Sequence, residues 1–215
     1  MTYLYYGNQN FEITEFRDRK VIHELEMAMT AFDCVIPDHS GIYCSTNITT
    51  GRKLYFEIFK QYNVRSDSEL ATKLGNDRYT KVKRELTQSN IQRGLAFADS
   101  LRFRGFVNII TPAPFIAHDF NQQHYLYLWE WTIIKKAYEA RFNEGWEFSK
   151  GCTMEYAAAT RKRIPRFDHM GRPLEPSEAI RKIETAIGEL TDSKISADQL
   201  EYHLAYLKKI ETANS

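Results

Sequence analysis

The chain has 215 residues, 43% hydrophobic and 13% aromatic, which suits one well-filled domain with additions. Its 29 basic and 28 acidic side chains nearly cancel, so bulk charge gives no attraction to nucleic acid or to a membrane surface. No apolar run approaches the ~20 residues of a membrane span, and three scattered cysteines fit neither a disulfide framework nor a zinc site.

The opening segment, MTYLYYGNQNFEITEFRDRK, carries acids early and lacks the pattern of a secretory signal. We therefore expect a cytoplasmic protein with reduced cysteines that recognises a small ligand. The first predicted element is a short amphipathic helix at residues 21–32, where apolar side chains recur at helical intervals.

A turn at residues 37–41 leads into a buried strand at 41–44 and then into the loop STNITTG. The apolar spacing of residues 52–62 predicts a helix after this loop. Strand, glycine-bearing loop and helix are the opening of an α/β unit. The polar residues 63–88 follow and predict an inserted helical excursion.

A helix over residues 90–104 is predicted to end at Gly105, and FVNIITPAPF follows as a buried strand. The strongly apolar segment 125–141 predicts a further helix. Gly145 then opens the stretch GWEFSKGCTMEYAAA, which begins another. Beyond a linker, two amphipathic helices at 177–190 and 196–210 each start at a serine.

This alternation predicts an α/β fold with a single doubly wound parallel sheet and added N- and C-terminal helices. We expect an N-terminal helical extension at 1–39, an α/β domain at 40–170 with the insertion at 63–88, and a C-terminal helical appendage at 174–215. Ligands bind such sheets at the carboxyl ends of the strands, where STNITTG and GWEFSKG fall. The apolar stripes of the last two helices must be covered by the core or by another subunit, and we expect a homo-oligomer through helical faces.

The helix after Ser149 carries the most informative carboxylate. Gly151 and Glu155 are four residues apart and share one helical face, so a ligand could pack on the bare backbone at Gly151 and touch Glu155. The helix N-terminus lowers the cost of keeping Glu155 ionised. A helical glutamate is otherwise most often a solvated surface residue, and the local pattern leaves both interpretations open.

Three segments, SKGCTMEYAAA, IYCSTNITTGR and GFVNIITPA, carry a family likeness over residues 40–168. They resemble, in this order, the Ser-x-Gly-x-x-x-Glu-x-x-x-Ala signature, the first strand with its loop, and the second strand of the nucleoside 2-deoxyribosyltransferase family. That family includes the deoxynucleoside 5′-monophosphate N-glycosidases. The resemblance implies the Rossmann- or flavodoxin-like fold of these enzymes.

The resemblance also implies a double displacement. The carboxylate of Glu155 would attack the anomeric carbon of a nucleoside or nucleotide, the base would leave, and the glycosyl ester would pass to another base or to water. Glu130 lies near the position of the family acid that handles the leaving base. A further family aspartate falls on Tyr138.

Substrate contacts are implied for the loop after the first strand, which would meet the ribose and its 5′ end, and for the segment before Glu155. The implied substrate-binding residues are Tyr43, Asn47, Ile48, Gly51, Arg52, Trp146, Ser149 and Gly151. The family glycine before the loop is Thr46 here. The resemblance implies neither a metal nor a cofactor.

Two other interpretations stay open. Thr46 and Tyr138 favour a non-catalytic nucleotide-binding or partner-binding module on the same fold, and similar glutamate chemistry would also cleave the nicotinamide bond of NAD. His118 and His124 fit no common metal-ligand spacing. The basic run at 161–166 reads either as a solvated helix end or as a phosphate contact.

Overall fold

A computed structural model describes residues 4–6, 9–11 and 19–214. The other residues of the predicted extension at 1–39 lie outside this described part. The strands are β1 (Leu4–Tyr6), β2 (Gln9–Phe11), β3 (Gly41–Ser45), β4 (Ile109–Ile110), β5 (Ala137–Phe142) and β6 (Arg166–Asp168). The helices are α1 (Arg19–Val35), α2 (Phe59–Tyr62), α3 (Asp67–Leu74), α4 (Asn76–Phe103), α5 (Gln122–Lys136), α6 (Lys150–Arg161), α7 (Pro176–Asp192) and α8 (Asp198–Asn214).

Four strands form one parallel sheet in the order β4-β3-β5-β6, and helices flank it. The pair β1 and β2 is antiparallel and separate. All five residues of β3 are buried, as a central strand with helices on both sides requires. The predicted α/β fold with a single parallel, Rossmann- or flavodoxin-like sheet is confirmed.

The prediction of one helix over residues 125–141 is wrong in its last part. Helix α5 ends at Lys136, and Ala137 already has the extended backbone of β5. Alanine, glutamate and arginine favour helix locally. Here the segment instead pairs with β3 and β6 and buries Ala140 and Phe142, so tertiary pairing overrides the local preference.

The predicted insertion at 63–88 has no structural boundary at residue 88, because a helix continues through this position. It contains α3 and the first part of α4, which runs unbroken from Asn76 to Phe103. Gly105 follows with a φ of 88°, so the predicted helix end is confirmed. The segment 52–62 is a π-helical turn, Leu54–Ile58, continued by α2.

The two faces of the sheet differ in cover. Side chains of β3 alternate, so Tyr43 belongs to a large core with α5, α6 and the C-terminal helices, whereas Ile42 and Cys44 belong to a small cluster under α4. The stripes of α7 and α8 pack on the chain's own core through Ile183, Leu190, Leu200 and Leu207. Helix α7 starts with Pro176 after Glu175, which corrects the predicted serine start, because proline suits the first helical position.

Candidate active site

A cavity of about 680 Å³ opens at the carboxyl ends of β3, β4 and β5. Its volume lies within the range of small-molecule sites, about 300–1,000 Å³. The wall consists of the segments that follow the three strands together with parts of α4, α5 and α6. It is lined by Thr46, Ile48, Thr49, Thr50, Thr87, Ile91, Pro112, Ala113, Phe115, Ile116, Phe120, Gln122, Tyr125, Leu126, Trp129, Ser149, Lys150, Gly151, Cys152 and Glu155.

Glu155 is the only carboxylate among the described residues that line this cavity. Helix α6 begins after Ser149, whose side chain caps the helix by accepting a hydrogen bond from the Cys152 backbone N–H at 3.5 Å. Glu155 lies on the second turn and is 4% exposed. The interpretation of Glu155 as a solvated surface residue is therefore wrong.

Gly151 lies one turn before Glu155 and also lines the cavity. A Cβ built there would meet no heavy atom closer than 3.9 Å. A methyl group there would make only ordinary van der Waals contacts with Leu126 and Ser149, so this side of Gly151 is not crowded.

Two hydroxyl groups from β3 hold the Glu155 carboxylate. The Tyr43 hydroxyl donates to Oε1 at 2.9 Å, and the Ser45 hydroxyl donates to Oε2 at 2.6 Å. Both donors are fully buried, and they stand two residues apart on the strand, so they project from the same face. Each carboxylate oxygen thus has one protein partner and a defined orientation. The sequence pattern did not identify Ser45.

Burial raises the pKa of Glu155 from 4.5 to about 7, while the hydrogen bonds from Ser45 and Tyr43 oppose the increase. Near neutral pH, the ionised and protonated forms are therefore both populated. The ionised form is a nucleophile, and its negative charge can stabilise a cationic transition state beside it.

Asn47 joins the two loops that carry most of the predicted substrate contacts. Its side-chain amide donates to the Gly145 carbonyl at 3.0 Å, and its oxygen accepts from the Cys152 thiol at 3.3 Å. Gly51 has a φ of 118°, and a Cβ there would lie 2.5 Å from the Asn47 amide nitrogen. Asn47 and Gly51 therefore shape the loop, and neither is among the residues lining the cavity.

Helix α4 supports the loop after β3. Asn90 donates its side-chain amide to the carbonyls of Ile48 at 2.9 Å and Thr50 at 3.3 Å, and Ile48 lines the cavity. The Thr50 hydroxyl donates to the Ser149 hydroxyl at 3.3 Å, which links this loop to the start of α6.

Thr46 approaches α4 closely at Gly94. A Cβ at Gly94 would lie 2.7 Å from the Thr46 methyl group and 2.9 Å from the Ala113 Cβ. Thr46 and Ala113 both line the cavity. The bulkier residue at position 46 is therefore accommodated by a glycine on the helix behind it.

Arg52 and Trp146 lie away from the cavity wall. Arg52 pairs with Glu189 of α7 at 3.0 Å and lies over the rings of Phe56 and Phe148. Trp146 is 2% exposed, and its ring stacks on Tyr156 with a centroid distance of 5.0 Å. Arg52 therefore contacts α7, and Trp146 packs against α6.

Glu130 does not lie beside Glu155 in the cavity. Its carboxylate pairs with Arg161 at 2.5 Å, across from α5 to the end of α6, and it is not among the lining residues. Tyr138 is exposed on β5. The structure therefore does not bring the predicted leaving-group acid to the carboxylate.

An aromatic wall faces the cavity from the β4–α5 segment and α5. It comprises Phe115, Phe120, Tyr125 and Trp129. Edge contacts fix these rings, including Phe115 on Trp129 at a centroid distance of 5.3 Å, and the Tyr125 hydroxyl donates to the Ala117 carbonyl at 3.1 Å. In the sequence, Tyr125 and Trp129 crowd the start of one predicted helix, a pattern that fits core packing and also fits stacking on a base. The position of Phe115 and Phe120 could not be predicted, because residues 111–121 form an irregular segment without a repeating apolar pattern.

Within residues 4–6, 9–11 and 19–214, no cluster of three His, Cys, Asp or Glu side chains could hold a metal ion. His124 instead accepts a hydrogen bond at Nδ1 from the Asn121 backbone N–H at 3.0 Å, at the start of α5. No helix in the described part is long and apolar enough to cross a membrane.

Comparison of the chain with protein-family models, with curated proteins and with solved structures gave no match.

Proposed function

We propose that this protein cleaves the N-glycosidic bond of (deoxy)nucleosides or their 5′-monophosphates through a glycosyl-enzyme intermediate. The observation that carries the proposal is the buried Glu155 carboxylate, held by two hydroxyl donors at the wall of a cavity at the sheet's carboxyl edge. The sequence resemblance to the nucleoside 2-deoxyribosyltransferase family supports the same role for this residue.

In the first step, an ionised oxygen of Glu155 bonds to the anomeric carbon while the carbon–nitrogen bond breaks and its electron pair leaves with the base. The transition state is cationic at the sugar, so a fixed carboxylate stabilises it. Tyr43 and Ser45 hold the carboxylate in place and keep it from rotating. In the second step, an oxygen of water or a nitrogen of another base bonds to the anomeric carbon while the ester bond to Glu155 breaks. The bonding electrons return to the carboxylate, and the nucleophile loses its proton to solvent.

The leaving base needs a proton or a hydrogen bond, and Glu130 is not positioned to supply it. Lys150 is the only charged nitrogen among the described residues of the cavity wall. We assign the aromatic wall to the base, since planar rings stack on aromatic side chains. The hydroxyl-rich side with Lys150 suits the sugar and a 5′-phosphate.

Chromatography of reactions with deoxynucleosides, deoxynucleoside 5′-monophosphates and NAD tests the proposal. Base release that disappears in Glu155→Gln is the expected result. Parallel reactions with a second free base separate hydrolysis from transfer, because exchange of bases requires the glycosyl ester to be captured by the added base. Absence of base release from every substrate, or release that persists in Glu155→Gln, contradicts the proposal.

One observation favours a second candidate function, nucleotide binding without turnover. Among the described residues of the cavity wall, Glu155 has no second carboxylic acid beside it. Calorimetry that detects nucleotide binding, followed by recovery of the intact ligand after prolonged incubation, distinguishes this function from catalysis.

We propose that this function is cytoplasmic. Formation of a homo-oligomer through helical faces stays a prediction, which sedimentation analysis would test. The stripes of α7 and α8 do not by themselves support it, since they pack on the core of the same chain.

A further inference from the structure

Arg141 is a buried cation on the face of the sheet opposite Tyr43. It stands on β5 beside Cys44 of β3, under α4, and is 5% exposed. Its Nε donates to the Glu139 carboxylate, but its Nη1 is buried without a hydrogen-bond partner among the described residues. A buried donor left without a partner is destabilising by about 1–3 kcal/mol, and more for a charged group.

Two aromatic rings fix the orientation of this guanidinium group. The Arg141 Cζ lies 4.4 Å from the Phe106 ring centroid and 5.2 Å from that of Phe167. A second guanidinium group, from Arg104, lies 5.5 Å from the same Phe106 ring. Both arginines therefore contact one aromatic side chain.

The two guanidinium groups also converge on Gly171. A Cβ built on Gly171, which has a φ of 87°, would lie 3.2 Å from Arg104 Nη2 and 3.4 Å from Arg141 Nη1. Both distances are shorter than an ordinary contact with a Cβ, so the two nitrogens lie close against the bare backbone of Gly171. Any larger residue there would be strained and would crowd both guanidinium groups.

The nearby carboxylates do not neutralise this pair. Glu139 binds Arg141, and Asp168 binds Arg172 and the backbone N–H of Met170. Arg104 has no ion pair within the described part of the chain, and its side chain is exposed. Of the two converging guanidinium groups, only that of Arg141 is paired with a carboxylate among the described residues, so the pair keeps a net positive charge.

We propose that Arg104, Arg141 and Gly171 form a binding site for a phosphate group, separate from the Glu155 cavity. The exposed Arg104 side chain moves outward to admit the anion. Phosphate oxygens then accept hydrogen bonds from Arg141 Nη1 and from Arg104, whose planar donors match phosphate geometry. The site lies on the α4 face of the sheet, whereas Tyr43 and Ser45 project to the other face.

Titration calorimetry with inorganic phosphate at constant ionic strength tests this site. The full chain carries Lys150→Gln, which removes the charged nitrogen of the cavity wall. Phosphate is expected to bind at one site, and Arg104→Gln is expected to weaken binding by about tenfold or more, since a charge-assisted hydrogen bond is lost. Gly171→Ala is expected to weaken it as well.

The matched control is Arg84→Gln, an exposed arginine on the same helix, which removes one positive charge without touching the site. It should leave phosphate binding unchanged. Titration with glycerol phosphate separates the sources: equal affinity indicates a phosphoryl group on a larger ligand, and selectivity for phosphate indicates the free ion. The proposal is overturned if phosphate does not bind. It is also overturned if Arg104→Gln and Arg84→Gln lose phosphate affinity equally, as adventitious association of an anion would predict.

Discussion

Glu155 and Arg141 are buried charged side chains on opposite faces of the parallel sheet, and their surroundings differ. Over the Tyr43 face, Glu155 receives one hydroxyl donor on each oxygen and borders a cavity. Under α4, Arg141 has one carboxylate and two aromatic rings, and one of its nitrogens has no partner in the described structure. Burial alone therefore does not identify a site. The hydrogen-bond partners of each charge and the space beside it determine what the group can bind or react with.

The largest expected effect comes from removing the Glu155 carboxylate. Glu155→Gln keeps the shape of the side chain but removes the nucleophile, so base release should fall by about a thousandfold or more. Chromatographic rates at saturating substrate measure the effect. Arg84→Gln, at an exposed position on α4, is the control and should release base at the rate of the unmodified protein.

The next-largest expected effect is a loss of stability when the buried Arg141 is replaced. Arg141→Met leaves the Glu139 carboxylate, whose side chain is 12% exposed, without its cation, and unfolding free energy should fall by about 3–5 kcal/mol. Urea denaturation measures the loss. The double variant Arg141→Met with Glu139→Leu should regain much of it. A single variant as stable as the parent would show that the ion pair contributes nothing.

A third prediction compares stability with pH. Glu155 has an ordinary pKa of 4.5 when unfolded and about 7 in the fold, so its ionisation favours unfolding progressively as pH rises from 4.5 through 7. At pH 8, Glu155→Gln should therefore be more stable than the parent by about 1–3 kcal/mol. This advantage should shrink as the pH falls from 7 to 4.5 and be absent below pH 4.5. Denaturation midpoints that differ by the same amount at both pH values would contradict the assigned pKa.

The smallest effect sharpens the role of the β3 hydroxyls. Ser45→Ala removes a donor that favours the ionised form of Glu155, so the acidic limb of the pH–rate profile should move to higher pH. At pH 7, kcat/KM should fall about tenfold, in line with one lost hydrogen bond to a charged group. Ser45→Thr should restore most of the activity, because it keeps the hydroxyl. An unshifted profile in Ser45→Ala would assign the residue a purely structural role.

The parts of the fold with a strong local pattern were predictable. The buried strand at residues 41–44 lies within β3, and the serine-capped start of α6 follows Ser149. Strand β5 was not predictable, because Ala137, Glu139 and Ala140 favour a helix until β3 and β6 pair with them. Local preference is weak evidence where a segment is central in a sheet.

The candidate site divides in the same way. Helical spacing placed Gly151 and Glu155 on one face, the family resemblance singled out Glu155, and both residues line the cavity. Ser45 was missed because its role depends on strand β3 lying beside α6, a contact between residues 110 positions apart. Glu130 illustrates the opposite failure, since nearness in sequence to a family position gave no information about its pairing with Arg161.

Gly94 lies behind the cavity on α4 and is not among its lining residues, yet the loops after β3 and β4 both rest against it. Adding a single methyl group there would force the Thr46 and Ala113 loops away from the helix. A single mutation of Gly94 would therefore change the size of ligand that the cavity accepts, while every residue of the cavity wall stays the same.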